Sequence, residues 1–236
     1  MKWIDTGVLL HLQPIGETKS LATLFTQHHG NIIGCLRTSR KNSLHIGQTY
    51  CLSATARLDN HLPFLSLEPI PNSLTPFLYV QKSRSALLAL QSKFLLIKKC
   101  LAEKDPHPNF YTLFHKGLID LCSTKDIKYY ALFELCLLKE IGIELNLNEC
   151  AVTGTQNDLA YVSPKTGRAV CKKVAEPYIH RLFVLPHFLI KKEQTPSNED
   201  IRNSLILTGF FLDKHFLNTV HAALPKERAM LIEALF

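Results

Sequence analysis

The period of the hydrophobic pattern changes near residue 80, and that change limits what this chain can fold into. Upstream, short apolar or β-branched runs recur between turn signals: Gly7-Val8-Leu9-Leu10, Leu21 to Thr26, Asn31 to Leu36, Thr49 to Ala56 and Phe64 to Leu67. Pro14-Ile15-Gly16-Glu17, His28-His29-Gly30-Asn31 and Arg40-Lys41-Asn42-Ser43 lie between them. About five short strands punctuated in this way predict a small antiparallel barrel or sandwich. Pro69, Pro71 and Pro76 follow. Prolines at that density end a sheet, because each lacks the N–H that a ladder needs, and begin a linker.

From about residue 82 the apolar positions step by three and four. Leu87, Leu90, Phe94, Ile97 and Leu101 form one helical stripe, Phe110, Phe114, Leu118 and Leu121 a second, and Ile127, Ala131, Leu135, Leu138 and Ile141 a third. Asp105-Pro106-His107-Pro108 separates the first two, and Ser123 with Asp126 three residues on predicts an N-terminal cap for the third. Residues 146–178 break this period. There, Ala160 to Ser163 and Arg168 to Cys171, joined by a turn at Pro164-Lys165-Thr166-Gly167, predict a hairpin inserted between helices. Helical patterning returns from Leu185 to Ile190. A further helix is expected from Ser197, with Asp200 as its capping partner, to about Ala222, and a last short one from Pro225 to Leu235. The fold class expected is α+β: a barrel domain over residues 1–80, then a helical domain over 81–236 that contains the 146–178 element.

A chain of 236 residues can bury one large or two small cores. With 46% hydrophobic and 20% charged residues it is not a disordered or low-complexity polypeptide, and only 10 Gly and 12 Pro exclude a collagen-like one. Charged residues, Gly or Pro interrupt every long apolar run, so none is expected to span a bilayer. Asp5 stands where a secretory leader carries only basic charge. The seven cysteines are odd in number and scattered, several within apolar runs such as Leu135-Cys136-Leu137-Leu138, which fits a reducing compartment. A cytoplasmic protein with no membrane partner is expected.

The common catalytic signatures are missing. The chain has no Walker-type phosphate loop, no Gly-x-Gly-x-x-Gly, no His-Glu-x-x-His and no Gly-x-Ser-x-Gly. His28-His29 is the only adjacent histidine pair; neighbours on a strand face opposite ways, so the pair reads as a polar turn before Gly30 rather than a metal site. Cys150 and Cys171 bracket the hairpin as the ends of a zinc ribbon would. Structural zinc takes four N or S ligands, usually from two Cys-x-x-Cys knuckles. Here the knuckle positions hold Thr153 and Val174, and His180 and His187 are badly spaced. The ligand set is incomplete, and no metal or other cofactor is expected.

Charge is distributed unevenly. The net charge is +7, and from Thr18 to Leu58 there is no Asp or Glu while Lys19, Arg37, Arg40, Lys41 and Arg57 supply +5. A solvated turn is the plainer explanation for the Arg37–Lys41 cluster; the missing acids favour a basic track along a phosphate backbone. Each such cation would release counterions from the polyanion, giving affinity without sequence preference. Tyr50 and Phe64 are candidates for base stacking, although aromatics at strand spacing more often fill a core. Arg168, Lys172 and Lys173 form a second basic group by the hairpin, and Lys191-Lys192 follows a predicted helix, where cations offset the helix dipole.

The order of motifs resembles the RecO family of bacterial DNA repair proteins. The resemblance opens with Gly7-Val8-Leu9-Leu10-His11, Pro14-Ile15-Gly16-Glu17-Thr18, Leu24-Phe25-Thr26 with Gly30, and Gly34-Cys35-Leu36-Arg37-Thr38-Ser39-Arg40-Lys41. It continues through Phe133-Glu134-Leu135-Cys136-Leu137-Leu138 with Gly142, Cys150-Ala151-Val152-Thr153-Gly154 and Tyr161-Val162-Ser163-Pro164-Lys165-Thr166-Gly167. Leu185-Pro186 and Leu207-Thr208-Gly209-Phe210-Phe211-Leu212 close it. The resemblance implies an N-terminal OB-fold, a helical domain and an inserted zinc-ribbon-like element. It implies a non-catalytic mediator that binds single- and double-stranded DNA, anneals strands and, with RecR and in some lineages RecF, helps RecA displace SSB during recombinational repair. The family's DNA role falls on Arg37, Arg40 and Lys41, and its helical domain would dock the C-terminal tail of SSB in a pocket that sequence does not locate. Some relatives hold zinc with four cysteines, of which this chain keeps Cys150 and Cys171. The alternatives are an RNA-binding OB-fold factor and an enzyme built on an unrecognised Cys/His pair.

Overall fold

Alternation with a period of two builds the amino-terminal barrel. In the computed structural model, which describes residues 2–37, 44–58, 61–191 and 194–235, five strands form: β1 (Lys2–Ile15), β2 (Lys19–Thr26), β3 (Gly30–Arg37), β4 (Thr49–Thr55) and β5 (Phe64–Pro69). They close in the order β1-β2-β3-β5-β4. All pairs are antiparallel except β3 with β5. This five-stranded barrel is an OB-fold. Leu9, Ala22, Leu24, Ile32, Leu36, Tyr50, Leu52, Ala54 and Leu65 fill its interior, at alternate positions on β2 to β4 as the pleat requires.

β1 is much longer than the run Gly7–Leu10 predicted. It pairs with β4 from Lys2↔Thr55 to Val8↔Thr49 and with β2 from Gly7↔Thr26 to Ile15↔Lys19, with a register shift between Leu9 and His11. A bulge bends a strand, so one chain segment can edge two neighbours and close the barrel. Its polar residues at either end hid that length.

Three helices accompany the barrel. α1 (Pro76–Val80) occupies part of the stretch read as linker, because Pro76 falls in the first turn, where its missing N–H costs nothing. α2 (Arg84–Cys100) and α3 (Pro108–Thr124) follow. Phe25 on β2 meets Phe110, Tyr111 and Phe114 of α3 with ring centroids 6.1, 5.4 and 5.4 Å apart. Asn31 on β3 donates its carboxamide to the carbonyls of Ile97 and Leu101, at 3.1 and 2.9 Å, the first of which also accepts the Leu101 N–H, and so ties the end of α2 to the barrel. The segment after α2 then crosses Gly30, whose φ is +69; a Cβ there would collide with the backbone of Asp105.

The chain divides into two compact units, Met1–Lys125 and Asp126–Phe236. By packing, α2 and α3 therefore group with the barrel, whose own strands end before residue 80. The second unit holds α4 (Lys128–Glu140) and a four-stranded sheet ordered β6-β8-β7-β9, from β6 (Asn146–Cys150), β7 (Leu159–Val162), β8 (Arg168–Cys171) and β9 (Phe183–Val184). α5 (Lys172–Ala175), α6 (Asn198–Leu212) and α7 (Lys226–Glu233) complete it. The predicted hairpin is β7–β8. Ser197 and Asp200 form the predicted capping box of α6, which passes into a π-turn at Asp213–Leu217 and stops short of Ala222.

Two local expectations fail. Ser123 does not cap α4: it lies inside α3, Lys125 ends that helix at φ +59, and Asp126 Oδ1 accepts the Lys128 N–H at 2.9 Å instead. Leu185 to Ile190 holds only a 3₁₀ turn, His187–Leu189, because Leu185 still bonds as a strand to the Ala160 carbonyl and Pro186 is extended. Buried in this unit, the Glu134 carboxylate accepts from Arg228 Nε at 2.7 Å and Nη2 at 2.9 Å, and from the Thr208 hydroxyl. Among the described residues no helix is long and apolar enough to cross a membrane.

Candidate nucleic-acid interface

Strand register brings two of the five predicted cations face to face. Lys19 opens β2, Arg37 closes β3, and the two are direct cross-strand partners. Both are exposed, since the neighbouring Ser20 and Leu36 take the inward positions. Like charges in register are destabilising. Among the described residues no carboxylate lies within 4.0 Å of either to relieve them. An anion placed between them turns that repulsion into attraction.

Beside Arg37 opens a cleft of ≈ 530 Å³, walled by Leu36, Leu44 and the β5 residues Phe64 to Leu67. Phe64 is 59% exposed while its neighbour Leu65 is turned inward. Gly34 permits this arrangement: a Cβ there would lie 2.8 Å from the Pro63 carbonyl oxygen, which accepts the Cys35 N–H as β5 comes alongside. Of the two stacking candidates, Phe64 is thus available and Tyr50 is not. Tyr50 is 1% exposed, its hydroxyl accepting the His45 N–H at 2.8 Å and donating to Gln48 at 3.1 Å. Burial pushes its phenol pKa up.

Arg40 and Lys41 fall outside the described residues. Arg57 is exposed in the segment between β4 and β5 and does not line the Arg37 cleft. Its neighbour Ala56, with His61 and Pro63, instead lines a second cavity of ≈ 220 Å³, shared with Trp3, His28, His29, Ile32, Lys104 and Pro106.

The polar turn expected at His28-His29 is present, but the expectation that the two rings face opposite ways does not hold there. His28 and His29 sit on the β2–β3 turn rather than along a strand, so both rings reach the same group: Asp5 Oδ1 lies 3.0 Å from His28 Nδ1 and Oδ2 lies 2.6 Å from His29 Nδ1. Asp5 also accepts the N–H groups of His28 and Thr6. Burial would raise its pKa, but the bonds from His29, His28 and Thr6 outweigh it and hold the carboxyl below its ordinary value. Trp3 stacks on His29 with centroids 3.9 Å apart and planes 13° off parallel. Asp5 was missed by sequence reading; its signal was a lone acid in an otherwise apolar-facing strand.

In the second unit Cys150 and Cys171 meet. The Cys171 N–H donates to Cys150 Sγ at 3.4 Å, and the Thr153 hydroxyl lies 3.8 Å from Cys171 Sγ. Burial opposes ionisation of Cys150, yet bonds from Thr153 and from the Cys171, Thr153 and Val152 backbone bring its pKa down to about 6. Two sulfurs and a hydroxyl do not make the four-donor shell of structural zinc. Among the described residues no group of three His, Cys, Asp or Glu could hold a metal ion.

A closed five-stranded barrel of this order, followed by a largely helical region, defines an OB-fold protein with an appended helical domain. Residues 82–221 match the family described as Recombination protein O C terminal. The chain is 35% identical to the DNA repair protein RecO of Bartonella bacilliformis over 99% of its length and 96% of that protein's. It is 35% identical to the one of Bartonella quintana (99% and 97%) and 31% identical to the one of Sinorhizobium medicae (91% and 87%). The chain belongs to the RecO family of DNA repair proteins.

Proposed function

We propose that the chain is a recombination mediator without catalytic activity. In this reading it binds single- and double-stranded DNA, anneals complementary strands and, with RecR, helps load RecA onto DNA coated by SSB. The cross-strand pair Lys19 and Arg37 beside the exposed Phe64 carries the reading. Two cations with no carboxylate beside them among the described residues lower the repulsion between phosphate backbones, and an open ring offers any base a stacking face. Arg40 and Lys41, which follow Arg37 in sequence, and Arg57 extend the track. No bond is made or broken, so the mechanism calls for no metal or cofactor. The helical part of the chain would supply an apolar, basic-rimmed dock for the SSB tail. RecF is a further partner by family resemblance, and the bacterial cytoplasm, at the nucleoid, is the site of action.

Binding of labelled single-stranded DNA across a salt series tests this. Affinity should fall linearly on logarithmic axes, and Lys19→Ala with Arg37→Ala should flatten the slope by roughly 0.7 for each phosphate no longer neutralised. Salt-insensitive binding, or an unchanged slope, overturns the assignment. Annealing of bare and SSB-coated strands separates a mediator from a plain binder, and competition with RNA of the same sequence separates it from an RNA factor.

A further inference from the structure

The β2–β3 hairpin has a second end. Lys19 and Arg37 lie at one, and the turn bearing His28 and His29 at the other; with eight residues in each strand, the two ends are roughly 24 Å apart. That span suits an OB-fold track of several nucleotides.

We infer that the cavity beside Trp3 is a site for a single nucleotide unit of a DNA strand, with the base against the Trp3 wall and the phosphate between His61 and Lys104. The inference rests on the DNA-binding reading above and extends it to a second contact point. Size is the first argument. At ≈ 220 Å³ the cavity lies below the range of pockets for drug-sized ligands and fits one ring system.

Charge is the second argument. The polar groups at the cavity are His28, His29, His61 and Lys104, and no described carboxylate lines it. A flat, apolar and anionic ligand is therefore preferred over a cation or a sugar. Asp5 sits behind the wall with its side chain 1% exposed. Being ionised it can only accept, so the Nδ1 of each histidine carries the proton and each Nε2 is left free of that carboxylate.

Rigidity is the third. Asp5 fixes His29, and His29 stacks flat on Trp3, so the wall is ordered before any ligand arrives and little entropy is lost on binding.

Trp3 is the only tryptophan in the chain, so the emission of the intact protein reports this cavity alone. The titrants are a short deoxyadenylate oligomer, deoxyadenosine monophosphate and inorganic phosphate, with oligomer binding followed in parallel by the anisotropy of a labelled strand. The oligomer should quench Trp3 saturably and phosphate alone should not; quenching by the monophosphate as well marks a site open to free nucleotide, and its absence marks one that needs the strand. His61→Ala with Lys104→Gln should weaken oligomer quenching about fivefold or more. Both residues are exposed, and Gln keeps a long side chain at Lys104, whose φ is +59.

If the oligomer binds by anisotropy but leaves Trp3 emission unchanged, the nucleotide site is wrong and the DNA-binding reading stands. If it does not bind at all, both fall. Quenching by a short acidic, apolar peptide, added as a fourth titrant, and by neither nucleotide probe, overturns the site in favour of a peptide dock.

Discussion

Lys19 and Arg37 stand directly opposite one another across β2 and β3, exposed and with no carboxylate within 4.0 Å among the described residues. Without an anion the pair repels. Lys19→Thr, which keeps strand propensity, should stabilise the free protein by about 0.2–1 kcal/mol. The same change should weaken single-stranded DNA binding and reduce its salt slope by roughly 0.7. Urea unfolding and a salt series on one preparation check both; a variant that loses stability and keeps the parent slope counts against a phosphate role.

Phe64 and Tyr50 separate binding from folding. Phe64→Ala should cost about 1–3 kcal/mol of single-stranded DNA affinity and little stability, because the ring faces solvent. Tyr50→Phe removes the hydroxyl that accepts the His45 N–H and donates to Gln48, and should cost about 0.5–1.5 kcal/mol of stability, with DNA affinity unchanged in the folded protein. Equal effects on affinity would contradict the assignment of Phe64.

Glu134 and Arg228 are 0% and 4% exposed and joined by two hydrogen bonds. Burial works against the guanidinium charge, but Glu134 more than offsets it and holds the Arg228 pKa above its ordinary value. Arg228→Met alone strands a buried carboxylate and should destabilise the second unit by about 3–5 kcal/mol. Pairing it with Glu134→Leu should recover much of that loss. Circular dichroism during urea unfolding distinguishes the two.

Asp5 predicts acid sensitivity. Its pKa in the folded protein lies below the ordinary 3.8, since the bonds from His29, His28 and Thr6 outweigh burial. The unfolded chain therefore binds the proton first as pH falls. The contribution is fully present above 3.8 and is lost as pH drops through the folded value. Asp5→Asn should remove this component, giving a flatter dependence of Tm on pH across that window, with Trp3 emission as the local probe. An identical pH profile for variant and parent would show that the two histidines do not hold Asp5 ionised.

The strands of the barrel and the helices α2, α3 and α4 were legible because each follows a simple period, although in α4 Tyr130, Phe133 and Leu137 turn inward where the stripe named Leu135, and the capping box of α6 was legible because its chemistry is local. The length of β1 was not legible: its polar positions are inward or outward only by virtue of two different partners. The same holds at the β2–β3 turn. The rule that neighbours diverge applies to strands, and His28 and His29 converge on Asp5 because a turn rotates both rings toward β1. Tyr50 and Phe64 were indistinguishable in sequence, and only the pleat assigned one to the core and the other to the cleft.

Sequence alone determined the order of elements, the barrel-then-helix plan, the absence of acids across Thr18 to Leu58 and the family likeness, since these are properties of residues in linear order. Tertiary structure decided which cations become neighbours, which ring remains open, and that a buried carboxylate would order a cavity beside the only tryptophan. Those are pairings between residues far apart in the chain, set by strand register and closure, and linear spacing carries no information about them until the sheet is formed.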